Sequence, residues 1–175
     1  MTERPDPVMA EIAQAVARGH AGARAEARER FARLWARLGP SGDPLHRCAL
    51  AHHAADVQED LGEELRWDLR ALAAADELTD ARAREHHGSL TVAGFYPSLH
   101  LNLADVHRRL GDTGQARVHL VEAERAVGAL PDDGYGRMIR QGIARCAARL
   151  DERVAGGARA GQPLPEDDEG VRSGR

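Results

Sequence analysis

The chain has 175 residues, of which 42% are hydrophobic, 3% aromatic and 30% charged, a length that suits one compact domain or one short repeat array. Alanine and leucine dominate the apolar set while isoleucine, phenylalanine, tyrosine and tryptophan are scarce, a mix that favours helices and has few of the residues that suit strands. All 24 basic residues are arginine, which excludes a phosphate-loop lysine, a Schiff-base amine and a serine-lysine pair. The net charge of -4 speaks against nucleic acid as a partner, because such binding needs a local excess of cations. Cys48 and Cys146 stand far apart and form no C-x-x-C pair, so a disulfide framework or zinc knuckle has no support. With no long apolar run, the chain reads as cytoplasmic, with no membrane as partner.

In chain order, residues 1–7 form a polar N-terminus, and Val8 to Arg18 carry Val8, Ile12, Ala15 and Val16 on one helical face, closed by Gly19. A second helix carries the stripe Ala27, Phe31, Leu34, Trp35 and Leu38 and stops at Gly39-Pro40-Ser41-Gly42-Asp43-Pro44. A third helix is expected from Leu45 to Leu61 and a fourth from Glu63 to Leu78, divided only by Gly62. Thr79 is the expected N-cap of a short helix ending near His87-Gly88, and Ser89 to Pro97 can be a helix start or a packed turn. Ser98 to Leu110 and Gln115 to Leu130 pair around the turn Gly111-Asp112-Thr113-Gly114, and a last helix runs from Tyr135 to Val154. These elements make residues 8–154 one all-α domain. Residues 155–175, rich in Gly, Pro and acidic side chains, are expected to be a disordered tail.

A shift of 49 residues aligns Ala55-Asp56-Val57 with Ala104-Asp105-Val106, Leu61-Gly62 with Leu110-Gly111, and Ala74 with Ala123, the mark of one hairpin type used twice. The run Asn102-Leu103-Ala104-Asp105-Val106-His107-Arg108-Arg109-Leu110-Gly111-Asp112, followed by Ala116, Leu120 and Ala123, resembles a tetratricopeptide repeat. It departs from the pattern at His100, where tryptophan is common, at His107 in place of tyrosine, and at Pro131, three residues late. The hairpin from His46 to Leu78 is a weaker match, with Trp67 where a small residue is expected. The 49-residue spacing exceeds the family's period of about 34, so Thr79 to Tyr96 reads as an insertion or a degenerate helix. The resemblance implies antiparallel hairpins stacked as a short solenoid (TPR-like), capped by the last helix.

No catalytic motif stands out. The four serines fall at loops, helix starts or the tail, outside any Gly-x-Ser-x-Gly elbow, and the two cysteines read as small hydrophobes on helix faces. Nine histidines, with the pairs His52-His53 and His86-His87 and Cys48 one turn from His52, raise a small metal-binding or metalloenzyme helical bundle as the alternative reading. No H-E-x-x-H is present, and the expectation is no metal and no cofactor. If the resemblance holds, the groove-facing positions of the first helix in each hairpin are His52, Asp56, Glu59 and Asp60 in the weaker repeat and Leu101, Asp105, Arg108 and Arg109 in the better one. The expected function is therefore a non-catalytic scaffold that binds a protein or peptide through a charged concave groove. An uncapped end of such an array would also allow a homodimer. Phe95, Tyr96 and Tyr135 are candidate partner anchors or core side chains.

Overall fold

The computed structural model describes residues 6–87 and 91–160, with side chains described as far as residue 153. The described residues contain eight α-helices, two short 3-10 turns and no strand. The helices are α1 (Pro7–His20), α2 (Arg24–Leu38), α3 (Pro44–Asp56), α4 (Leu61–Asp76), α5 (Asp80–His86), α6 (Tyr96–Leu110), α7 (Thr113–Ala126) and α8 (Gly134–Ala160). Six begin at a side-chain cap. Asp6, Asp43, Asp60, Thr79, Asp112 and Asp133 each accept a hydrogen bond from a backbone N–H two or three residues on, filling an otherwise orphaned donor. Proline follows Asp6 and Asp43 at the first helical position, where its missing N–H costs nothing. Gly111 ends α6 at φ 88°, the left-handed conformation that glycine adopts without strain.

Several boundaries differ from expectation. The third helix stops at Asp56 rather than Leu61, and Leu61 and Gly62 open α4 instead of dividing two helices. The end is held both locally and from α2: Gln58 donates its backbone N–H to the Ala55 carbonyl and its Nε2 to that of Ala54, while Arg24 Nη2 donates to the carbonyls of Asp56 and Gln58 and Arg28 Nη1 to that of Val57. Asp60 then restarts the chain as the cap of α4. The 49-residue register consequently aligns unlike places. Ala55-Asp56 closes α3 whereas Ala104-Asp105 lies inside α6, and the caps Asp60 and Asp112, which do correspond, are 52 residues apart. Helix α6 begins two residues before Ser98, α7 two before Gln115, and α7 gives way to a 3-10 turn at Val127–Ala129. The last helix continues to Ala160, six residues past the expected boundary at 154, while the expected tail from 161 onward lies outside the described residues.

Short connections make α1–α2, α3–α4 and α6–α7 helical hairpins. Successive hairpins meet through α2 on α3 and α4 on α6, and α8 lies against both α6 and α7. One core joins Ile12, Phe31, Leu50, Trp67 and the alanines Ala51, Ala54, Ala71, Ala74 and Ala75, with Leu99 of α6 reaching into it. The second joins Ala104, Ala116, Leu120 and Ala123 to Ile139, Ile143, Cys146 and Leu150 of α8. Alanine at the seams lets helix backbones approach closely. Trp67 fits among them by meeting Trp35 edge to face at 5.4 Å, with the Arg70 guanidinium 4.5 Å from its ring centre. The segment after α4 packs Leu78, Ala83, Val92 and Phe95 against Leu45, covering the start of α3.

Candidate functional site

A cleft of about 340 Å³ opens where the hairpins meet, lined by Arg24 of α2, Asp56 and Gln58 at the end of α3, Glu64 of α4, and Asn102, Asp105 and Arg109 of α6. Its walls carry charges of both signs. Arg109 bridges the two later hairpins by bonding Glu64 and, through Nε, Asp105 Oδ2 at 2.9 Å. Arg24 is held on backbone carbonyls, so its charge stands at the cleft edge next to Asp56. Larger hollows lie between α1 and α2 (about 420 Å³), on the outer face of α7 (about 520 Å³) and beside His100 and Ala129 (about 650 Å³). The cleft is set apart by drawing on all three hairpins and by the buried titratable group that one of its lining residues, Asn102, bonds.

That group is Asp68. It is 2% exposed, among the alanines of α4, and its Oδ2 has no hydrogen-bond partner. Its Oδ1 accepts from Asn102 Nδ2 at 3.4 Å, and the same amide nitrogen lies 3.4 Å from Nδ1 of His52. Burial pushes the Asp68 carboxyl up to about 8, outweighing the Asn102 hydrogen bond; the charges of Glu64 and Asp56 push the same way, and Arg109 opposes them. Burial also lowers the pKa of His52, against the pull of Asp56. Burial thus favours the uncharged forms of both the acid and the imidazole that meet the Asn102 amide.

The eight groove residues expected from the sequence divide between cleft and scaffold. Asp56, Asp105 and Arg109 line the cleft, and His52 is buried with its Nδ1 3.4 Å from Nδ2 of Asn102, which also lines it. Glu59 instead pairs with Arg28 of α2 at 2.8 Å, and Asp60 is committed to capping α4. Leu101 faces α8, where it packs over Gly142 so closely that a Cβ there would come within 2.7 Å of its Cδ2. Arg108 bonds Asp105 Oδ1 at 2.8 Å, and its carbonyl accepts from Arg153 of α8. Arg24, Gln58, Glu64 and Asn102 also line the cleft, and Asp68 lies behind Asn102; none of the five is a residue the sequence pattern singles out as groove-facing. Asp68 had a visible signal, since it occupies the stripe that continues through Ala71 and Ala75, where an acid has no packing reason to be.

The histidines do not converge on a metal site: among the described residues no group of three or more His, Cys, Asp or Glu side chains could hold an ion. His100, His119 and His107 stack along the α6–α7 seam, with 3.1 Å between Nδ1 of His100 and Nδ1 of His119. Burial lowers the pKa of both His100 and His119, which disfavours the charged form of these two rings. The cysteines are free and buried, and burial pushes Cys48 up to about 12, far from a reactive thiolate. Tyr96 donates to Asp76 at 2.8 Å and stacks on His100, Phe95 packs into the core beside Leu45, and Tyr135 is 44% exposed. No described helix is long and apolar enough to cross a membrane. No protein-family model, curated protein or solved structure matches this chain.

Proposed function

We propose that the chain is a non-catalytic, tetratricopeptide-like helical-repeat module of the cytoplasm that binds an extended segment of a protein partner in the cleft between its hairpins. One observation carries this reading: a polar cleft, lined by side chains from all three hairpins, holds an Asp56 whose side chain is 60% exposed and has one basic group within 4 Å among the described residues, His53 at 3.8 Å. An extended peptide suits such a place because its side chains alternate and can meet separate charges along the cleft. The stacking of α2 on α3 and α4 on α6 supports the solenoid, and α8 covers the apolar face of α6 and α7 as a cap would.

The test is selection of twelve-residue peptides from a random library, with affinities measured by calorimetry on the wild type and on Asp56→Arg. That substitution changes an exposed side chain and leaves the core intact. Loss of at least about tenfold in affinity supports the cleft, in line with the cost of breaking a charge-assisted contact. Peptides that bind both proteins equally, or a library that yields no binder, contradict it.

A further inference from the structure

Helix α7 turns Ala116, Leu120 and Ala123 inward against α8 and leaves Val118, at 53% exposure, and Val121 uncovered one turn apart. These two valines line the hollow on its outer face, between Arg117 and Arg125. The hollow beside His100 and Ala129 shares Glu122 and Arg125 with it, so the two join as one groove along α7, apolar along its floor and basic at its edge. Neither arginine is locked in place. Arg117 meets Asp151 at 3.1 Å and Arg125 meets Glu122 at 2.5 Å, and both are pairs of exposed side chains, which exchange partners at little cost.

The chain itself supplies an occupant. Helix α8 runs antiparallel to α7, with Arg140 donating to the Leu130 carbonyl past the end of α7 and Asp151 meeting Arg117 near its start. It therefore ends, at Ala160, on the Arg117 side of the groove, about 14 Å of helix beyond Asp151. The sequence goes on, outside the described residues, with Gly161-Gln162-Pro163-Leu164-Pro165 and the four acids Glu166, Asp167, Asp168 and Glu169. We propose that this segment returns along α7, seating Leu164 on Val118 and Val121 and the acids on Arg125.

Length, order and charge agree with this course. Four extended residues from Ala160 to Leu164 span about 13 Å, the distance back to the valines. From Leu164 to Asp167 the chain covers about 10 Å, and α7 rises about 10 Å from Val118 to Arg125. Pro163 and Pro165 disfavour helix on either side of Leu164, which lowers the entropy lost on docking in extended form. The acids meet a groove edge that is basic, whereas a second copy of the chain on the same valines would bring two basic edges together. No α7 residue lines the cleft between the hairpins, so this contact stands or falls independently of peptide binding there.

The experiment places a nitroxide on Gly170→Cys of the full chain, Cys48 and Cys146 being buried, and reads paramagnetic broadening of the Val118 and Val121 methyl signals against the reduced label. The expected result is broadening of both, with the Val8 methyls on α1 unchanged. It falls at least about twofold when the four acids become Gln or Asn, and likewise in Arg125→Glu. No broadening at Val118 and Val121, or broadening undiminished in both variants, overturns the inference. Broadening that persists when the nitroxide is carried only by unenriched chains, mixed with enriched chains that lack it, also overturns it and assigns the groove to a second copy.

Discussion

Asp68 is where chemistry and stability meet most directly. Its folded pKa of about 8 lies above the ordinary carboxyl value, so the folded protein keeps a proton that the unfolded chain loses near pH 4. Stability contributed at this position therefore falls as pH rises from about 4 to about 8 and is level beyond. Asp68→Asn is expected to raise the melting temperature at pH 7.5, by the equivalent of roughly 2 kcal/mol or more, and to give no gain at pH 4. Thermal melts of the two proteins at both pH values decide this, and equal melting temperatures at pH 7.5 would contradict it. An acid kept in an alanine stripe at such a cost has the character of a functional residue. The sequence exposed this conflict between pattern and residue, yet Asp56, Asp105 and Arg109 were reached through a family resemblance and Asp68 through none. Arg24 and Glu64 were illegible because their part in the site depends on which hairpins lie side by side.

The helix start at Thr79 was legible from its capping side chain, whereas the caps Asp60 and Asp112 passed unread and their helices begin two residues before the expected Glu63 and Gln115. The end of α3 was not legible either, since it is held by Gln58, an unremarkable residue in the sequence, and by Arg24 and Arg28 on another helix. Arg28→Ala should fray this terminus and cost about 1 kcal/mol, read as faster amide exchange over residues 54–58 with α1 unchanged. The caps of α1 and α3 are also tied together. His46 Nε2 lies 2.7 Å from Asp6 Oδ2, and Arg82 of α5 donates to Asp43 Oδ2 at 2.6 Å. Burial alone would raise both carboxyls, but the hydrogen bonds from His46 and two backbone N–H groups lower Asp6, and those from Arg82 and the His46 N–H lower Asp43. Groups with lowered pKa stabilise above their unfolded value and lose that contribution as pH falls through the folded one. Asp43→Ala is thus expected to cost about 1–2 kcal/mol at pH 7, with the difference from wild type shrinking below about pH 4. A difference that persists at pH 2 would contradict the cap network.

At the scale of the whole molecule, three hairpins share one core through Leu99, and α8 completes a second. Composition made the helical class legible, and glycines and prolines marked most of the loops. The order of stacking was hidden, because alanine seams look alike in sequence, and the 49-residue match fell three residues from the spacing of the true caps. Leu150 is fully buried against the last hairpin, so Leu150→Ala should cost about 2–5 kcal/mol in denaturant unfolding. A loss below about 1 kcal/mol would mean that α8 does not close that core. Stacking alone brings Arg24, Asp56, Glu64 and Asn102 to one cleft, on which the proposed peptide binding depends. The measurement that tests this most directly is intermolecular NMR contact mapping of a library-selected peptide on the isotope-labelled chain. The account predicts contacts from the peptide to His52, Asp56, Asn102 and Asp105, on helices of two different hairpins. A peptide seated instead on the outer face of α7 or between α1 and α2, with no contact to Asn102, would contradict it.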